Sequence, residues 1–194
     1  MIESHSVPSA AVWLMRAYAD GPFDAATMCR AAEPVGTRSP MSDQCSTFFD
    51  LPGGAVLHLA AEDTAGEEVG AAVVTLCGWD PAGGELVLHP ERAAYDECYD
   101  QALAAVHAEL GPPDHTGADP GPYPFPFRWS VWLGTTGLLA LQQSDYDYCP
   151  DINLWARPHP AQGFTPTEPF SDWLMTAPRA EGAADPQLAP RTRS

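Results

Sequence analysis

Two stretches of this chain read as β-meanders, and one helical stripe lies between them. From Ser46 to Trp79, short apolar runs are broken by Pro52-Gly53-Gly54 and by a polar turn from Asp63 to Glu68. From Arg128 to Ala156 the pattern returns, broken by Gly134-Thr135-Thr136-Gly137 and by an acidic loop from Asp145 to Asp151. Short runs rich in Val, Leu and Trp between turn residues read as strands. Strands joined by such short turns pair antiparallel. With 21 Pro and 16 Gly in 194 residues, many turns and long loops are expected and a helical bundle is not.

The pattern predicts strands over 46–51, 55–60, 71–79, 85–89, 128–133, 138–143 and 152–156. The helix between the two groups runs from Pro90 to Leu110. Pro90 suits a first-turn position and Glu91 complements the helix dipole there. Tyr95, Cys98, Tyr99, Ala102, Val106 and Leu110 recur at helical spacing as one apolar stripe. Gly111 and Pro112-Pro113 stop the helix. Upstream, Ser9 is positioned to cap a helix with Val12, Met15 and Tyr18 on its apolar face, ending at Gly21-Pro22. Asp24 is positioned to cap a second short helix that stops before Pro34. Residues 1–8, 34–44 and 112–126 read as loops. The expected fold is therefore α+β, a mainly antiparallel sheet of about six to seven strands. One long amphipathic helix packs on one face, with short N-terminal helices, and the other face is left open. Residues 1–176 form a single domain on this reading, and 177–194, rich in Ala, Pro and Gly, a disordered tail.

Charge constrains partners more than fold. The chain has 26 acidic residues against nine basic ones, all Arg, and no Lys, for a formal net charge of -17. The tail holds three Arg against Glu181 and Asp185, which leaves six Arg against 24 acids in the body. Duplex nucleic acid and anionic membranes both recruit Lys and Arg, so neither is an expected partner. A basic protein is. The same charge also keeps a small protein soluble and monomeric, so it does not select a partner alone. The missing Lys fits a GC-rich coding bias, given the wealth of Ala, Gly, Pro, Asp and Arg.

The five cysteines, Cys29, Cys45, Cys77, Cys98 and Cys149, are odd in number and form no CxxC. Reduced, mostly buried thiols in a cytoplasmic protein are expected. The N-terminal residues lack the basic-then-apolar pattern of a secretion signal, and no apolar run reaches membrane-spanning length. The six histidines show no HxH or HExxH spacing, and neither a phosphate-loop nor a GxSxG pattern occurs. No metal, cofactor or catalytic residue is therefore expected. Two clusters remain open to either reading. Asp96 and Asp100 share a helix face, which suits a solvated surface or acid–base work if burial separates them. Cys98 and His58 would form a nucleophile and base only if the fold brought them together.

The strongest binding candidate is the acidic-aromatic segment Asp145, Tyr146, Asp147, Tyr148 and Asp151, with Trp132 and Trp155 on the neighbouring strands. Carboxylates beside aromatic rings suit an Arg-rich protein surface through stacking and charge-assisted hydrogen bonds. The same acids can also be a merely solvated loop. A calcium loop is disfavoured, since the EF-hand glycine and closing Glu are absent. Trp129 and Trp132, three apart on a strand, face opposite sides.

A helix ending Glu109-Leu110-Gly111-Pro112-Pro113, then Phe127-Arg128-Trp129-Ser130-Val131-Trp132-Leu133, a Gly turn and Ile152-Asn153-Leu154-Trp155 resembles small actinobacterial immunity-type proteins. The element order is also similar to the secretion-chaperone-like α+β fold. The resemblance implies an acidic, cytoplasmic protein devoted to binding a partner, and it carries over no functional residues. The first expectation is thus a non-catalytic module that neutralises or escorts a basic partner protein. The alternatives are a small enzyme or ligand-binding domain, with a pocket between the sheet and the 34–44 and 112–126 loops, and a homodimer joined through the open sheet face.

Overall fold

A computed structural model describes residues 2–43, 45–62, 66–79, 92–119, 126–144, 150–167 and 169–178. Among them the elements run β1 (Ile2–Ser4), α1 (Ser9–Asp20), α2 (Ala25–Ala32), β2 (Thr37–Arg38), β3 (Ser46–Asp50), β4 (Val56–Ala61), β5 (Val69–Trp79) and α3 (Arg92–Leu110). Then come β6 (His115–Asp119), β7 (Phe127–Leu133), β8 (Gly137–Ser144), β9 (Asp151–Pro158) and α4 (Phe170–Thr176). The expected strand at 85–89, Pro90-Glu91 at the head of the long helix, and the tail from 179 onward lie outside the described residues.

All strands join one antiparallel sheet in the order β2-β3-β4-β5-β9-β8-β7-β6, with β1 also pairing β5. Two four-stranded meanders therefore meet through their last strands, where Ala72 faces Ala156 and Val74 faces Leu154. The helix α3 carries the chain from one meander to the other. The sheet has nine strands, more than the six or seven expected. The additional ones are short and occupy segments read as loops. β1 pairs Glu3 with Gly78, β2 pairs Arg38 with Phe49, and β6 pairs Gly117 with Trp129. None has the alternating apolar pattern of a strand, because each lies at a margin and takes its pairing from a longer neighbour.

The helical layer covers one face. Asp24 caps α2 by accepting the Thr27 N–H at 2.8 Å, a contact worth about 1 kcal/mol at helix N-termini. α1 begins at Ser9 with Pro8 ahead of it, and no side chain caps it. The stripe of α3 buries Tyr95, Tyr99, Ala102 and Val106, and Val12, Met15 and Tyr18 of α1 join the same core. Full burial of large apolar side chains contributes about 1.5–3 kcal/mol each.

The second face is not left wholly open. Phe170, Trp173 and Leu174 of α4 pack on Val131, Leu138 and Ala140 in a separate cluster. Trp129 stacks on Phe170 at 4.4 Å between ring centroids, and His115 stacks on Phe164 at the same distance. The C-terminal segment covers this half because β7 and β8 alternate apolar residues on both faces, which a single helical layer cannot bury. Toward β3, β4 and β5 the same face carries Phe48, His58 and Val73, all half-buried.

Candidate functional site

The residues expected to form one binding surface are divided by the sheet. Trp132 faces Leu139 and Trp155 faces Ala140, consecutive residues of β8, so the two rings point to opposite faces. Trp132 is 2% exposed within the helix-side core, and its indole N–H donates to the Gly111 carbonyl at 3.0 Å. It has no surface to offer a partner. Trp155 lies half-buried on the second face, and its indole nitrogen is enclosed without a hydrogen-bond partner. Asp145, Tyr146, Asp147 and Tyr148 lie outside the described residues. Asp151 opens β9 opposite Ser144 of β8 and Gly78 of β5. Its backbone carbonyl accepts the Tyr95 hydroxyl at 2.7 Å. Burial raises its carboxyl above the ordinary aspartate range, since desolvation disfavours the charged form.

The α3 acids have structural partners. Asp96 receives Arg92 at 2.9 Å and the Gln143 amide at 2.8 Å. Arg128 donates to Asp100 at 2.7 Å and lies over the Tyr99 ring at 4.5 Å. Arg92 also donates to the Pro126 carbonyl at 2.9 Å. These contacts fasten α3 to β7 and β8. Paired with guanidinium groups, Asp96 and Asp100 serve as anchors for the helix.

The remaining arginines follow a similar rule. Arg16 binds Asp20 at 2.7 Å and the Leu133 carbonyl at 3.1 Å. Arg157 donates to the Gly70 carbonyl at 3.2 Å, and desolvation lowers its pKa from the usual arginine value. Four of the six arginines among the described residues are thus held in contacts within the fold. The other two, Arg30 and Arg38, are exposed, with Arg30 donating to the neighbouring Thr27 hydroxyl at 3.3 Å.

One exposed aromatic was not singled out by sequence reasoning. Trp13 on α1 is 52% exposed, and its indole N–H donates to Glu109 of α3 at 2.8 Å. Ser9 also hydrogen-bonds that carboxylate, and these donors hold Glu109 below its usual pKa. The helical period does contain the signal, since Trp13 falls between the buried Val12 and Leu14 and off the Val12, Met15, Tyr18 stripe. What period alone could not supply was the neighbouring Glu109.

The fold does not bring Cys98 and His58 together. Cys98 packs against the helix-side core. His58 sits on the other face, stacked on Phe48 at 4.5 Å and 3.0 Å from the Ser46 hydroxyl. Cys98 instead neighbours Cys77 of β5, whose thiol is pushed up to about 12, chiefly by burial and further by Cys98. Both line a cleft of about 470 Å³ bounded by Ser4, His5, Ser6 and Gln101 among others. This cleft lies between the N-terminal segment, β5 and α3, away from the 34–44 and 112–126 loops where the enzyme or ligand-binding alternative would place a pocket. Among the described residues no group of three or more His, Cys, Asp or Glu is arranged to hold a metal ion. Nor is any helix there long and apolar enough to cross a membrane.

Compared with protein-family models, curated proteins and solved structures, the chain matches none.

Proposed function

We propose that this chain is an acidic, non-catalytic module that binds a basic partner protein in the cytoplasm and neutralises or escorts it, as an immunity protein or effector chaperone does. The supporting observation is how the arginines are used. Arg16, Arg92, Arg128 and Arg157 are held in contacts within the fold, Arg30 and Arg38 are the exposed arginines among the described residues, and the chain as a whole sets nine arginines against 26 acids. The uncompensated field draws a basic protein in and raises the rate of encounter. Asp145, Tyr146, Asp147 and Tyr148 supply contact chemistry at the β8–β9 connection. Trp13 beside Glu109 supplies an exposed ring of the kind enriched at binding hot spots.

The test has two stages. The tagged chain captures proteins from its host lysate at low and high salt, and a stoichiometric basic protein held only at low salt is expected. With that protein purified, the association rate should fall steeply with ionic strength. It should also fall severalfold in Asp145→Asn/Asp147→Asn, with the thermal midpoint unchanged. A partner whose association ignores both salt and these substitutions would end this reading.

A further inference from the structure

We propose that Cys77 and Cys98 are a disulfide-exchange site: the cleft admits a small uncharged disulfide, Cys98 attacks it, and Cys77 resolves the mixed disulfide into a Cys77–Cys98 bond. The two cysteines come from different elements, β5 and α3, and both line the same cleft, with the Cys98 thiol acting electrostatically on Cys77. Both are free thiols, Cys77 buried and Cys98 half-buried. The cleft they line, at about 470 Å³, falls within the range of small-molecule sites. Among the described residues its polar walls are Ser4, His5, Ser6 and Gln101, with no carboxylate in the lining.

The unequal burial assigns the order of events. Cys98 loses its proton to solvent, and the thiolate attacks one sulfur of the small disulfide. The old sulfur–sulfur bond breaks, and the first small thiolate leaves and takes up a proton. Cys77 then loses its proton and attacks the Cys98 sulfur, expelling the second small thiol. Two protein thiols are oxidised to one disulfide while one small disulfide is reduced to two thiols, so protons and electrons balance. Cys77, 1% exposed, needs no access to the oxidant because its target is the neighbouring Cys98 sulfur. The product ties the helical layer to the centre of the sheet.

The experiment treats the full chain with hydroxyethyl disulfide, quenches with acid and maps every thiol by peptide mass spectrometry. A Cys77–Cys98 linkage reversed by dithiothreitol is expected, with a thermal midpoint several degrees higher. Because burial holds the Cys77 thiol well above the usual thiol range, the resolving step should quicken steadily as pH rises from about 7 to 9. Cys77→Ser should trap a stable hydroxyethyl adduct on Cys98, and Cys98→Ser should leave Cys77 reduced. Circular dichroism establishes that each variant is folded; if one is not, the wild-type map decides alone. A wild-type chain that keeps a stable adduct on Cys98 with Cys77 reduced overturns the proposal. So does reaction confined to the exposed Cys45.

Discussion

Tyr95 shows how one side chain can hold several elements. It is fully buried, and its hydroxyl donates to the Asp151 carbonyl at 2.7 Å, with the Ser144 carbonyl at 3.3 Å. It therefore ties α3 to both ends of the β8–β9 connection. Tyr95→Phe keeps the ring and removes the one O–H shared between these two carbonyls, so a loss of about 1–2 kcal/mol is expected in urea denaturation. Asp151 supplies a second test at this scale. Its folded carboxyl titrates above the ordinary value of 3.8 because it is desolvated. Between the unfolded and folded values the native state holds more protons than the unfolded one, so stability falls as pH rises through that window. Asp151→Asn should remove this slope and raise the melting temperature at neutral pH. The gain should be modest, since solvent still reaches part of the carboxyl.

At the scale of elements, α4 (Phe170–Thr176) is what covers the second face of the sheet. Phe170 is 1% exposed, and its backbone N–H donates to the Asp119 carboxylate at 2.6 Å. Phe170→Ala should cost about 3–5 kcal/mol, measured by chemical denaturation, with increased binding of a hydrophobic dye as the second face is uncovered. The major elements were legible in the sequence because each carries its own period. Six strands, both N-terminal helices and the α3 stripe fall close to where alternation and helical spacing put them. β1, β2 and β6 were not, since polar segments such as His115-Thr116-Gly117 are strands only by virtue of the partner beside them. The candidate site was less legible still. Strand parity correctly separates Trp129 from Trp132, but the register that sends Trp132 inward and Trp155 to the far face is set by pairing with β8. The meeting of Cys77 with Cys98 depends on how α3 returns across the sheet, which no local pattern encodes.

For the whole molecule, the relevant quantity is the net charge of -17. Like charges spread over a compact body repel one another and oppose the folded state. Added neutral salt screens this repulsion, with a Debye length of about 10 Å at 0.1 M. The melting temperature at neutral pH should therefore rise as sodium chloride increases from about 0.01 to 0.2 M. A melting temperature that falls instead would mean that attractive pairs such as Arg16–Asp20 outweigh the general repulsion.

The join between the two meanders has a consequence during synthesis. β5 ends at Trp79 and its neighbour β9 begins at Asp151, so about seventy residues must be added before the central pairing can close. At roughly 5–20 residues per second on the ribosome, the β5 edge waits about 4–14 s for its partner. An unpaired apolar edge is a template for joining another chain. Over that interval the emerged portion, residues 1–79, carries ten acids against three arginines. Neighbouring nascent chains on one polysome thus repel each other while the edge is bare, so the acidity that would attract a partner in the finished protein first protects the unfinished one from its own copies.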